Sequence, residues 1–331
     1  MKGVNPCYTL SNSKAFSEAL KKLNFSVSFS TKIDETAIFS THHAATHHQL
    51  ESWGDYEFIN GEYSLAQPTI KPLFDTKQFE DCLLIWSDSE SSFYDKIKDN
   101  WKNNILDSEM KWNSALHDGV YSSNIKGKSN TFNSNLRSIN LNYKKHASQL
   151  SIPSSEGYDL ILYSKIGMGD GQQANNPWLQ EFPDPLTRVS WDNYLTVSRH
   201  DAEKIGLKNY NESNGALNSN YARISIDGIV IKVPVIIQPG QARGTVGLAF
   251  GYGRNEGLKK EMKTGVNAFK LYNSFSKHQK VKISVIYEIH EFACVQLHNT
   301  LMGRGDIIKE TTLDVFNTKD KEYWNPIPKV S

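Results

Sequence analysis

Cysteine is the scarcest chemistry in this chain: Cys7, Cys82 and Cys294 stand far apart among 331 residues. No Cys-x-x-Cys pair exists, which excludes thiolate ligation of an iron–sulfur cluster or a zinc ribbon on ligand count. An odd number also argues against a disulfide framework, and free buried thiols are the plain reading. Long apolar runs are missing too, since no stretch approaches the ~18 residues of a membrane span. Met1 to Leu10 carry one Lys and no apolar core, so no secretory signal is visible. Either the protein is cytoplasmic or export information lies outside this chain. Excess charge of either sign is absent: 37 Lys and Arg face 36 Asp and Glu. That balance speaks against a polyanion-binding surface, and nucleic acid is not expected as a partner.

What is present suffices for sizeable cores: 38% apolar residues, seven Trp, fifteen Tyr and fifteen Phe. The length predicts about two domains. Asn12 or Ser13 can cap a helix through Leu23, with Phe16, Ala19, Leu20 and Leu23 at helical spacing. Phe25 to Phe29 alternates as a short strand, and Asp34-Glu-Thr-Ala37 is a helix start. Helix, strand and helix in so short a span is the grammar of an α/β layer. The layer opens without a first strand, so its sheet would expose an edge: either another chain supplies the missing strands or the fold is unusual. Tyr56 to Phe74 reads as loop, punctuated by Gly61, Pro68 and Pro72. Lys77 to Trp86 suits a helix, and Ser92 to Leu116 a second one bearing Trp101, Ile105 and Trp112. From Ser122 to Asn135 core formers almost vanish, as in a mobile linker.

From Tyr158 the grammar changes. Tyr158 to Tyr163 is a strand, and Ala222–Ile226 and Ile229–Val233 flank Asp227-Gly228, a hairpin signal. Val235 to Pro239 and Val281 to Ile289 add further strands, with one brief helix at Ser198 to Ile205. Several short strands around one helix indicate a β-barrel.

Three segments carry a family resemblance: Asn176-Pro-Trp-Leu-Gln-Glu-Phe-Pro-Asp-Pro-Leu-Thr-Arg-Val-Ser-Trp-Asp-Asn-Tyr194, Gln238-Pro-Gly-Gln-Ala-Arg-Gly-Thr-Val-Gly-Leu-Ala-Phe-Gly-Tyr-Gly-Arg254 and Gly265-Val-Asn-Ala-Phe269. Together they resemble the C-terminal dinucleotide-binding barrel of the molybdopterin oxidoreductases, with the nearest likeness to the branch in bacterial alternative complex III. Upstream, Gly3-Val-Asn-Pro6, Leu50-Glu-Ser-Trp-Gly-Asp55 and Tyr63–Ile70 resemble the preceding α/β domain. Downstream, His298 to Leu313, with Met302-Gly-Arg304, resembles the link into a ferredoxin-like domain.

The resemblance implies a fold of α/β plus β class. A partial three-layer α/β domain (1–86) and a polar insertion (87–155) would precede a double-psi β-barrel (156–290) and an extension (291–331). It implies further domains on both sides in full-length relatives, and in the alternative complex III branch a molybdopterin-like half without molybdenum. The expected role is therefore structural and cofactor-free. The expected partners are an iron–sulfur domain or subunit and other subunits of a quinol-oxidising respiratory complex on the periplasmic side of a bacterial inner membrane. The alternative is a fragment of an active enzyme that binds molybdopterin guanine dinucleotide once another chain completes it.

Candidate contacts to that dinucleotide follow from glycine and arginine chemistry. Glycine lets backbone N–H groups approach pyrophosphate, and arginine pairs phosphate in bidentate fashion. Arg243, Gly244, Gly247, Gly251, Gly253 and Arg254 are placed in this way. Asn267, Asn176, Trp178 and Tyr194 are placed by the resemblance. The competing reading has the glycines serving tight turns and the aromatics packing at a barrel rim.

His42, His43, His47 and His48 precede Glu51, and on a helix His43, His47 and Glu51 would share a face able to hold zinc. Ala44, not Glu, follows His43, which departs from the catalytic zincin pattern. Hydrogen bonding by His47 and His48 is the simpler expectation, and no metal ligand is assigned. Glu51 and Asp55 are expected to position backbone. No Ser-His-Asp or Cys-His grouping can be assembled, so no catalytic residue is assigned.

Overall fold

The computed structural model describes residues 1–108, 111–123, 143–150, 157–212, 216–273, 278–295 and 309–327. The chain divides into two compact units. The first comprises 1–156 with 254–259 and 269–275, and the second comprises 157–253, 260–268 and 276–331.

The first unit opens with helices α1 (Pro6–Thr9) and α2 (Ser13–Leu20), then parallel strands β1 (Val27–Ser28) and β2 (His42–His43). Helix α2 ends before Leu23, which is exposed. The Asp34 start is real but short: its Oδ1 accepts from Thr36 and Ala37 amides, and only a 3-10 turn, Ala37–Phe39, follows.

The loop expected over 56–74 is instead half sheet. Strands β3 (Gly54–Ile59) and β4 (Glu62–Ala66) form a hairpin, extended by β5 (Val120–Ser122). Its turn is Asn60-Gly61, with Gly61 at φ 85°. This dipeptide is a strong two-residue hairpin signal, and it prevails over the prolines downstream.

Helix α3 (Phe79–Trp86) lies within the span expected for it. The single helix expected from Ser92 to Leu116 is broken into α4 (Phe93–Asn100), a π-turn (Trp101–Ile105) and α5 (Trp112–Asp118). A Ser92–Asp95 capping box starts it, and extended backbone at Leu106 stops it. The break turns Trp101 and Trp112 edge to face at 6.1 Å, in a core with Ile97, Leu106 and Ala115. The buried indole N–H of Trp101 finds its acceptor on Asp55 Oδ2 at 3.0 Å. Helix α6 (Tyr143–Leu150) follows. Of the linker expected at 122–135, all beyond Ser123 lies outside the described residues.

The second unit is a large mixed sheet. Its elements are β6 (Tyr158–Tyr163), α7 (Pro177–Glu181), β7 (Val189–Ser190), β8 (Leu195–Val197), α8 (Arg199–Ile205) and β9 (Asn209–Asn211). Then follow β10 (Leu217–Ile226), β11 (Ile229–Ile237), β12 (Thr245–Ala249), β13 (His278–Cys294), α9 (Leu313–Thr318) and α10 (Lys321–Trp324). The separate strand expected at Val235 is the continuation of β11. Pairings run β6–β12–β8–β11–β10–β13 and return to β6, so six strands close into a ring. Leu160, Leu162, Leu195, Val197, Ile224, Val233, Val235 and Leu248 are buried. Each such side chain contributes about 2 kcal/mol by leaving water. Most of 298–313, read as a link to a further domain, lies outside the described residues.

The β10–β11 turn places Asp227 at φ 47° and Gly228 at φ 79°. A side chain at Gly228 meets no neighbour, so the cost of adding one is purely conformational. We therefore expect Gly228→Ala to destabilise by about 1 kcal/mol, read as a lower urea midpoint at unchanged slope.

Candidate functional site

Strands β6 and β12 run parallel and end together, Tyr163 opposite Ala249. The loops leaving these ends touch backbone to backbone. A Cβ on Gly251 would lie 2.8 Å from the Gly169 carbonyl oxygen, and one on Gly171 would lie 2.7 Å from that of Gly251. Both have positive φ, so glycine is demanded twice over. Fully buried Asn193 fastens the next loop. Its Nδ2 donates to the carbonyls of Ala249 (2.8 Å) and Val266 (2.9 Å), and its Oδ1 accepts from Val266 N (2.8 Å).

Against these loops lies Lys165, 9% exposed. Its Nζ donates to the Asp192 carbonyl at 3.1 Å and sits 4.0 Å above the Tyr194 ring and 5.3 Å above that of Tyr252. Burial lowers its pKa to about 8, against the opposing pull of Asp184 and Asp192. The lysine lines a cleft with Ile166, Leu179, Phe182, Asp184, Pro185 and Tyr252 that has room for about one water. Burial also drives Tyr163 up to about 12 and Tyr194, whose hydroxyl bonds Thr187 Oγ1, well above the phenol range.

Asp192 links this lysine to a second group. Its Oδ2 meets His290 Nε2 at 2.8 Å, and His290 Nδ1 meets the Tyr221 hydroxyl at 2.8 Å. With Nε2 protonated toward the carboxylate, Nδ1 accepts from the phenol. Sequence reading missed both features. Asp192 and His290 are 98 positions apart, and Lys165 stands in no motif; only closure of the ring assembles them.

The residues singled out from sequence are placed as follows. Trp178 is 81% exposed and Arg243 is also on the surface. Asn176 caps α7, accepting from Trp178 N, Asn267 is half-buried, and Tyr194 lies in the core. Gly244 N donates to Asp201 Oδ2 at 2.7 Å. Gly247 sits inside β12, paired on both sides, where a Cβ would stand 2.7 Å from Thr196 Oγ1. A Cβ on Gly253 would fall 2.2 Å from Asn267 N.

Arg254, in the first unit, is 5% exposed and holds Glu35 in a fork: Nε reaches both carboxylate oxygens at 3.0 Å and Nη2 reaches Oε2 at 2.8 Å. Amides of Asn255 (3.0 Å) and Glu256 (3.2 Å) and Asn5 Nδ2 (2.7 Å) donate to the same carboxylate. Burial alone would raise the Glu35 pKa, but these donors hold it at about 2.

The helical face imagined for the histidines does not form. His43 lies in β2 with Nε2 2.8 Å from Ser30 O, and His47 Nε2 is 3.0 Å from Thr76 O. His48 Nδ1 and Glu51 make a capping box on a 3-10 turn, Gln49–Glu51. Each ring is committed to a separate backbone group. Among the described residues no three His, Cys, Asp or Glu side chains converge as for a metal.

Similarity to known proteins fits the first reading coarsely. The chain matches no family model. Over 85 residues it is 39% identical to the menaquinone reductase, molybdopterin-binding-like subunit, of Nitratidesulfovibrio vulgaris (strain Hildenborough). That match spans 24% of this chain and 12% of the relative. Acetylene hydratase from Pelobacter acetylenicus aligns with TM-score 0.46 at 14% identity, over 80% of this chain and 39% of that one. Over part of its length, then, the chain shows distant similarity to a molybdopterin-binding-like subunit.

The geometry tests whether a molybdopterin guanine dinucleotide fits. A pyrophosphate needs N–H donors that have no better acceptor. The Arg254 fork and its two following amides are spent on Glu35, the Gly244 amide on Asp201, and the Gly247 amide lies within a strand paired on both sides. The Arg254 fork and the Gly244 amide are thus each already engaged within their own unit and do not fit a pyrophosphate as placed.

Two expectations follow. Glu35 titrates at about 2 folded against 4.5 unfolded. It therefore contributes up to ~3 kcal/mol that is present above pH 4.5 and lost as pH falls toward 2. Glu35→Gln removes this acid-labile component, as unfolding midpoints across pH 2–5 should report. Lys165 keeps its proton only below about pH 8 in the fold but up to 10.5 unfolded. The charged form thus costs up to ~3 kcal/mol below pH 8, a cost that fades between 8 and 10.5. Lys165→Met should accordingly be more stable than wild type at pH 7, with the gap narrowing toward pH 10.

Proposed function

We propose that this chain is a structural, cofactor-free portion of a molybdopterin-oxidoreductase-like subunit, working inside a multisubunit quinone-linked respiratory complex. The observation that carries the reading is the Glu35–Arg254 clamp. An internal carboxylate already takes the guanidinium fork and the two amides that an anionic cofactor would need. The similarity to a menaquinone reductase subunit supports the setting. Electrons in such a complex would run through other domains or subunits, an iron–sulfur partner among them, and this chain would supply packing surface. Among the described residues no helix is long and apolar enough to cross a membrane. We place the complex at the periplasmic side of a bacterial inner membrane, in the manner of alternative complex III, and assign the six-stranded ring a double-psi topology.

Cofactor extraction decides between this reading and that of an active molybdopterin-dinucleotide enzyme completed by another chain. The native complex is purified and assayed for pterin by oxidation to its fluorescent product and for molybdenum by mass spectrometry. We expect neither in stoichiometric amount with this chain. One pterin per chain, retained through purification, would overturn the proposal in favour of the enzyme.

A further inference from the structure

Among the described residues Lys165 is the only lysine in the core, and none of its contacts is an ion pair. Its partners are a carbonyl oxygen and two ring faces, which tolerate the neutral amine as well as the ammonium. A lysine kept for structure alone gains from a carboxylate at contact distance, because an uncompensated buried charge is costly. This one instead lines an open cleft. The floor of the cleft holds about one water, and its rim is apolar: Ile166 is 83% exposed and Phe182 51%. Asp184 lines the same cleft. Its Oδ1 accepts from Leu186 N, Thr187 N and Thr187 Oγ1, which leaves Oδ2 available.

We propose that Lys165 is a nucleophilic amine that condenses with small aldehydes or ketones carrying an apolar substituent. The carbonyl enters the cleft and the substituent lies on Ile166 and Phe182. The Nζ lone pair forms the C–N bond while the carbonyl π pair moves to oxygen, giving a carbinolamine. That oxygen then leaves as water, taking in net the two hydrogens of the amine, and a C=N bond remains. Amine plus carbonyl equals imine plus water, with no change of oxidation state. Asp184 is the group positioned to carry the proton from nitrogen to the departing oxygen. The charged and titratable groups around the amine are Asp184, Asp192 with His290 behind it, and the phenols of Tyr194 and Tyr252, which Tyr163 neighbours in turn. Burial, the dominant influence among them, leaves the amine with a pKa of about 8. At pH 7.5 its neutral fraction is then roughly two-hundredfold that of an ordinary lysine.

The experiment treats the full chain with butanal and sodium cyanoborohydride, which fixes the imine as a secondary amine, and maps alkylation by peptide mass. Lys165 is expected to react at least tenfold faster than exposed Lys208 and Lys260 at pH 7.5, with a rate that rises through a midpoint near pH 8. Asp184→Asn should slow Lys165 severalfold and leave the two exposed lysines unchanged. Lys165→Met, which needs no intact cleft to be informative, should abolish only the fast phase. If Lys165 in folded protein reacts no faster than Lys208 and Lys260, or shares their pH dependence, the lysine is structural and the proposal fails.

Discussion

Closure of the six-stranded ring is the constraint on which the second unit depends. Strands β6, β8, β10, β11, β12 and β13 each pair with two others of the six, and β11 and β13 do so by passing from one neighbour to the next along their length. The cost falls on the connections, which must turn at the ring's ends and pass close to one another. Gly169, Gly171 and Gly251 meet there at distances no side chain allows, and Asn193 supplies the hydrogen bonds that the irregular loops lack. The glycine-rich segment between 240 and 257 is thus first a solution to crowding.

Buried charge is handled in two opposite ways. Glu35 is surrounded by donors until its carboxylate is more comfortable than in water, and its partner Arg254 is immobilised with it. Lys165 is given no counter-charge at contact distance and yields by losing affinity for its proton. The first arrangement stores stability and uses up binding capacity; the second spends stability and leaves a reactive group. This contrast underlies both functional readings.

Much of the second unit was legible from pattern. Tyr158–Tyr163, the Asp227-Gly228 hairpin and the helix behind Ser198 depend on alternation, turn chemistry and capping, which are local. The first unit was read less well. Asn60-Gly61 turns the chain into a hairpin ahead of Pro68 and Pro72, and a single helical period across 92–116 conceals a break. That break exists because Trp101 and Trp112 pack against each other and Asp55 accepts the indole N–H, and no window of sequence contains that requirement. The histidines misled for a related reason: spacing by four means a shared face only if a helix forms, and Ser30, Thr76 and Leu50 offered backbone partners instead.

Arg254 marks the boundary between the two kinds of knowledge. The sequence by itself determined that an arginine follows a run of glycines, that strands with hairpin turns occupy the second half, and that no cysteine set could bind a cluster. Those statements rest on residue identity and near-neighbour spacing. Only tertiary structure decided that the arginine faces Glu35, 219 positions away, and that His290 and Lys165 both lean on Asp192. A hydrogen bond between distant residues is set by how the whole chain closes, and the energy that selects it does not exist until the intervening elements have packed.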